Sequence, residues 1–328
     1  MSNLDPAPDG TAPAAAPQSR LQHVPISLFG MTMGLFGLGL ALHAGGLDRA
    51  SAALGIIGAA LFVFLLAIYA LKSLRYPAAL VEDWHHPVRL SFFPAISISL
   101  LLLATLARPS LPDAAHAIWL IGAAAQGILT LVVVSAWISH RSFGPVTLSP
   151  AWFIPAVGNL VVPVAGVAFG HDALSWYFFS VGLLFWLVLL TVVFNRLIFH
   201  DPLPGKLRPT LVILIAPPAV AFLSWTQLNG GQIDPAAHIL INAGYFFAAL
   251  VALQVPGLLR LPFALSFWAL SFPLAALTIA SFRFGVLAAS GAHNGLGYGL
   301  LALTILTIAA LVLHTLRAAR RGAICVPE

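Results

Sequence analysis

The sequence predicts an all-α integral membrane protein of ten transmembrane helices, paired as five helical hairpins around a central pore. Three observations carry that expectation. Hydrophobic residues make up 60% of the chain and charged residues 8%, with a mean hydropathy of +0.98, whereas soluble domains carry about 25% charge. Ten stretches reach the roughly 20 apolar residues that a bilayer crossing requires. Proline recurs in alternate stretches, at Pro94, Pro155, Pro217 and Pro273, about 60 residues apart. A fixed period of this kind marks an internal repeat, here one kinked helix followed by one straight helix.

In chain order, residues 1–24 are rich in Pro, Ala and Gly and read as a disordered cytoplasmic tail. They lack the basic start, apolar core and cleavage site of a signal peptide. The first span, 25–42, contains FGMTMGLFGLGLA, where glycine replaces the repeated proline and Gly30 and Gly34 form a small-xxx-small step for close helix packing. A straight span follows at 51–73. The next pairs are 88–106 with 114–139, 149–169 with 174–199, 208–228 with 236–255, and 263–282 with 293–316. In each pair the first member holds the proline and the second has none. The ten-helix region runs over 25–319, and 320–328 form a short cytoplasmic tail.

Proline within a helix removes one hydrogen bond and crowds the carbonyl four residues back. Pro94, Pro217 and Pro273 are therefore expected to free the carbonyls of Leu90, Ile213 and Ala269. Such groups are tolerated in a membrane only against protein or a water-filled space. Four kinks confined to alternate spans imply that the odd spans line one shared interior and the straight spans form its outer wall. Candidate hydroxyls for that interior are Ser97, Ser99, Ser271 and Thr278. The alternative for each is a bond to its own helix backbone.

Charge sets an orientation. Twelve of the fifteen Lys and Arg residues, from Arg20 to Arg321, fall on one side of the spans; only Arg49, Arg108 and Arg283 fall on the other. By the positive-inside rule both termini are cytoplasmic, as an even number of spans requires. The net charge of +5 is spread over short loops and does not indicate nucleic-acid binding. The single cysteine, Cys325, excludes an internal disulfide and a cysteine-based metal site. All ten acidic residues map to loops, span ends or tails. Ion-coupled carriers usually carry intramembrane acids or histidines, so a passive conduit is expected, and without an acidic ring it is not cation-selective. His85–His86 in EDWHHP read as an interfacial segment, and GLGYG at 295–299 opens a membrane helix without the preceding strand a nucleotide site needs. Trp84, Trp119, Trp137, Trp152 and Trp176 fit an aromatic belt. No catalytic constellation, metal site or cofactor motif is present.

The odd segments resemble, in order, those of the tellurite-resistance/dicarboxylate transporter family. That family includes bacterial TehA channels, slow-type anion channels of plant guard cells, and fungal sulfite and malate exporters. The stretches that carry the resemblance are FGMTMGLFGLGLA at 29–41, HPVRLSFFPAISIS at 86–99, SPAWFIPAVGNLVVP at 149–163, LRPTLVILIAPPAVAF at 207–222 and PFALSFWALSFPLAALTIAS at 262–281. The resemblance implies quasi-fivefold symmetry and a homotrimer with one pore per subunit, placed as a multi-pass protein in a bacterial-type inner (plasma) membrane. It also implies a pore-occluding phenylalanine on the ninth helix, matched by Phe272 in SFWALSFPLAA, with Phe267 as second choice. Phe93 and Phe153, beside Pro94 and Pro155, are expected by equivalence to add apolar constrictions. Some members carry a proline where this chain has Thr32, which puts the first kink in question. The tails are shorter than the regulatory regions of the plant channels. Two functions follow. One is a passive channel for small inorganic anions such as chloride or nitrate. The other is a carrier or exporter of C4-dicarboxylates, sulfite or tellurium oxyanions; tellurite resistance is equally compatible with incidental anion permeation. The lack of paired arginines inside the spans favours the first.

Overall fold

The computed structural model describes residues 19–139, 143–144 and 147–326, and all its regular structure is helical. The thirteen α-helices are α1 (Phe29–Ala44), α2 (Asp48–Arg75), α3 (Pro77–His85), α4 (Pro94–Ala107), α5 (Pro112–Ser139), α6 (Phe153–Val157), α7 (Val162–Gly166), α8 (Asp172–Phe199), α9 (Ala216–Leu228), α10 (Pro235–Ala252), α11 (Val255–Leu258), α12 (Ser271–Leu287) and α13 (Gly291–Arg320). With the 3-10 segments that precede or join them, these make ten spans long and apolar enough to cross a bilayer. The straight helices α2, α5, α8, α10 and α13 are the even spans.

Burial separates the two classes. In the most apolar stretch of each odd span 56 to 78% of the residues are buried, against 28 to 33% in each even span. The odd spans touch in the cyclic order first, third, fifth, seventh, ninth and back to first, so they form a closed inner ring. Each even span packs outside the odd span that precedes it.

The odd spans differ from the expected kinked α-helices. Each begins as a 3-10 segment and changes to α winding part-way. The switch falls at Pro94 after residues 89–92, at Ala216-Pro217 after 208–215, and at Ser271-Phe272-Pro273 after 265–270. In the fifth span Pro155 lies in α6 and Pro163 in α7, separated by a 3-10 turn at 158–161. Proline fits here because the first turn of a helix has no use for its missing N–H. The Leu90 and Ile213 carbonyls are consequently not freed. Each accepts a three-residue 3-10 bond, from the Phe93 and Ala216 N–H respectively. The first span makes the same switch without proline, from 26–28 into Phe29. At Thr32 the hydroxyl donates to the Phe29 carbonyl at 2.8 Å or bonds Ser99 at 2.8 Å, tying the first span to the third.

Side chains of an even span satisfy the fifth. The Pro155 carbonyl accepts from Gln126 Nε2 at 2.9 Å, with the Thr130 hydroxyl at the same distance. Gln126 Oε1 accepts from Ser97 at 2.7 Å, and Asn159 Nδ2 donates to Thr130 Oγ1 at 2.9 Å. These buried groups join spans three, four and five through partners they could not find in lipid.

The first and ninth spans approach closely at Gly34. A Cβ there would fall 2.2 Å from Ser271 Oγ and 2.6 Å from Ser271 Cβ. Gly34→Ala is expected to cost about 1–3 kcal/mol through overpacking, read as a lower melting temperature in detergent. Adding Ser271→Gly removes the atoms in conflict and should restore much of the loss.

Asp234 caps α10. Its carboxylate accepts from the Ala237 N–H at 2.8 Å and from the Trp225 indole at 2.9 Å. The Ala237 bond first, then the Trp225 bond, hold this carboxyl below its ordinary range. A depressed carboxylate stabilises the fold above its unfolded pKa and loses that contribution as pH falls through the folded value. The melting temperature of Asp234→Asn should therefore fall less steeply than wild type below about pH 4.

On the basic face, part of the expected tail is ordered. Residues 1–18 lie outside the described residues, but Arg20–His23 form a 3-10 turn and Val24 is buried. The Val24 carbonyl accepts from Lys72 Nζ at 2.8 Å. Lys72 and Asp83 are 2% and 3% exposed and pair at 2.6 Å. Tyr69 donates to Asp83 Oδ2 at 2.9 Å, and Arg89 reaches Asp83 Oδ1 at 3.1 Å and Glu82 at 3.2 Å. Asp83 lies on α3, a short helix between the second and third spans that the hydropathy pattern did not separate.

Candidate functional site

Two cavities lie in line inside the ring. The first, about 70 Å³, is bordered by the opening halves of the odd spans and faces the basic side. Its wall is apolar, with Met33, Phe92, Phe153 and Ile213 among its members and Ser27 and Ser266 the only hydroxyls. The second, about 250 Å³, is bordered by the closing halves of the same spans and faces the far side. It presents the polar side chains of His43, Thr105, Gln227 and Arg283.

Phe272, Val161 and Val220 border both cavities. Phe272 is the only aromatic residue of the three, and it stands where the ninth span changes from 3-10 to α winding. Its ring rests against the first span at Gly37, where a Cβ would come within 3.2 Å of Phe272 Cδ2. Glycine at that position leaves room for the ring between the two helices.

The remaining expected positions divide. Phe153, Pro217, Pro273 and Gly30 border the basic-side cavity, while Pro94 and Pro155 set winding without bordering either one. The expected lining by Phe93, Phe267 and Ser271 differs from the observed set. Phe93 turns outward onto Trp84 and Tyr69, with ring centroids 4.8 and 6.2 Å away, and Phe92 takes the wall. The cause is the 3-10 segment. It advances about 120° per residue rather than about 100°, so a position carried over from an α-helix lands on another face. Phe267, within the 3-10 segment 265–270, packs against Phe263 at a ring tilt of 33°, and Ser271 faces Gly34 and donates to the Trp268 carbonyl.

The other candidate hydroxyls also serve packing. Ser97 bonds Gln126, Ser99 bonds Thr32, and Thr278 donates to the Leu274 carbonyl. Trp119, expected at the interface, is fully buried and donates to the Val162 carbonyl at 3.0 Å. Gln227 and Val220, which border these cavities, are not marked out by the sequence pattern. Val220 offers no signal beyond ordinary apolarity. Gln227 is an uncharged polar residue near a span end, and that was the available cue. Among the described residues no group of three or more His, Cys, Asp or Glu side chains comes together to hold a metal ion.

A closed ring of broken helices, buried within a wall of straight ones and holding two cavities in line, defines a multi-span membrane protein of the channel or transporter class. Comparison with known proteins gives the family. The model of the SLAC1 family, voltage-dependent anion channel, matches residues 23–316, and the chain belongs to that family. Among its relatives is the S-type anion channel SLAH3 of Arabidopsis thaliana, 29% identical over 79% of this chain and 41% of the plant protein. The tellurite resistance protein TehA homolog of Haemophilus influenzae is 26% identical over 68% of each chain. An uncharacterized transporter of Methanocaldococcus jannaschii is 28% identical over 65% of this chain and 69% of its own. The match thus covers about two fifths of the plant relative's length.

Proposed function

We propose that this protein is a passive channel for small inorganic anions, chloride or nitrate in kind, closed by the side chain of Phe272. The observation that carries the proposal is that the ring borders both cavities, one on each side of the switch in winding. A bulky apolar side chain in a narrow tube excludes water, and an ion stripped of its hydration crosses such a constriction poorly. Val161 and Val220 supply the facing wall, so the barrier is apolar throughout. Family membership supports anions as the cargo, since relatives are named anion channels. The excess of Lys and Arg supports a cytoplasmic basic face. The largely exposed even spans offer surface to lipid and to neighbouring subunits, with a homotrimer as the proposed assembly.

The test is ionic current from purified protein in a planar bilayer under asymmetric chloride, wild type beside Phe272→Ala. The proposal requires a small wild-type current, a large one in the variant, and a reversal potential near that of chloride. Silence in both, with exchange of labelled dicarboxylate or sulfite in vesicles, would replace the channel by a carrier.

A further inference from the structure

Arg283 stands apart from the other basic residues. It follows Phe272 by eleven residues on α12, about three turns, so both lie on one face of the helix, about 16 Å apart along its axis. Both border the far-side cavity. Arg283 Nε is buried and has no hydrogen-bond partner. None of the observed ion pairs involves its guanidinium, which makes no hydrogen bond to any described residue. Nη2 lies under the turn at Gly231, where a Cβ would be 3.7 Å away. That turn adopts φ +83°, which glycine takes without strain.

The acids of the far side do not neutralise it. Asp48 pairs with His43 at 2.6 Å, Asp234 caps α10, and Asp113 and Asp172 sit in the first turns of α5 and α8. None of the four borders the cavity. A half-buried cation with unmet donors has lost hydration without gaining a partner, and an entering anion supplies what is missing. Gln227 on α9 borders the same cavity and contributes an uncharged N–H donor.

We propose that Arg283, assisted by Gln227, forms an anion-binding site in the far-side cavity that loads one monovalent inorganic anion ahead of the Phe272 constriction. The proposal rests on the reading of the cavities as an anion path. One guanidinium and one carboxamide balance a single negative charge. The site therefore prefers chloride, nitrate or thiocyanate to divalent oxyanions, which would keep an unmatched charge.

Two readouts test it. The first is binding alone: the melting temperature of the full-length protein in detergent, titrated with sodium nitrate against sodium gluconate. Wild type should show a saturable rise with nitrate, Arg283→Gln should lose it, and Arg283→Lys should keep part of it. The second is current in the Phe272→Ala background as chloride is raised on the far side. Arg283→Gln should raise the half-saturating chloride about three- to tenfold, a modest factor because the guanidinium is only half-buried. The two variants should converge at high salt, where screening removes the advantage. A nitrate-dependent shift equal in wild type and Arg283→Gln overturns the site whatever the currents show. Absence of anion current from Phe272→Ala, with the nitrate shift still dependent on Arg283, would remove the channel reading and leave the site standing.

Discussion

Phe272→Ala is expected to raise anion conductance about tenfold or more over wild type, and a tenfold gain needs only ~1.4 kcal/mol taken off the barrier. Two contributions combine. Removing the ring opens the passage between the two cavities, and it relieves the drying that an apolar constriction imposes. A graded series separates them from general damage. Leu should conduct little, Val and Ala progressively more, because barrier height follows the volume left in the path. Phe272→Trp should stay closed. Truncating an interior Phe usually destabilises by about 3–5 kcal/mol. Phe272 is only partly buried and borders open space, so its loss should lie at the low end of that range. A variant that melts early without conducting would show that the ring serves packing and not closure.

The second large effect concerns the buried pair on the basic face. Asp83→Asn leaves the Lys72 ammonium, 2% exposed, without its carboxylate. Removing one partner of a buried ion pair typically costs about 3–5 kcal/mol, because the remaining charge stays desolvated. The Arg89 contact loses its opposite charge as well, though Arg89 retains Glu82 at 3.2 Å. Lys72→Met joined to Asp83→Asn removes both charges and should melt above Asp83→Asn alone. That non-additivity is the signature of direct coupling. The measurement is thermal unfolding of the four proteins in one detergent. Equal, additive losses would mean that the pair contributes only through shape. The pair holds the Val24 segment, α2 and α3 together at the threshold of the third span, so limited proteolysis should cut the Asp83→Asn protein first near Val24.

Much of the architecture was legible because lipid imposes it. Ten apolar stretches of sufficient length, with twelve basic residues on one side, leave few alternatives once every backbone group must be satisfied within the helix. The period from Pro94 to Pro273 also separated inner from outer spans, as their burial agrees. What escaped depends on contacts between residues distant in sequence. Lys72 looks like an ordinary interfacial lysine until α3 folds back to bring Asp83 beneath it. Gln126 appears to be a stray polar residue in a straight span until Pro155 presents its carbonyl. The exchange of Phe93 for Phe92 at the wall arises because proline marks where winding changes without revealing that the preceding turn is 3-10. In the sequence Phe272 is singled out by resemblance alone, since nothing local distinguishes it among 22 phenylalanines.

The 3-10 openings of the inner spans have a mechanical meaning. A residue in 3-10 winding rises about 2.0 Å, against about 1.5 Å in an α-helix, and turns about 20° further. These segments are therefore stretched screws. Each residue that relaxed into α winding would shorten its span by about 0.5 Å and swing everything beyond it by about 20°. The ninth span carries six such residues, ending one residue short of Phe272. Two of them relaxing would turn the ring by about 40°, enough to redirect it along the wall without moving a whole helix. The direction in which Phe272 points is thus held by a coil a few residues long, and force on the 265–270 segment is geared into rotation of a ring that borders both cavities.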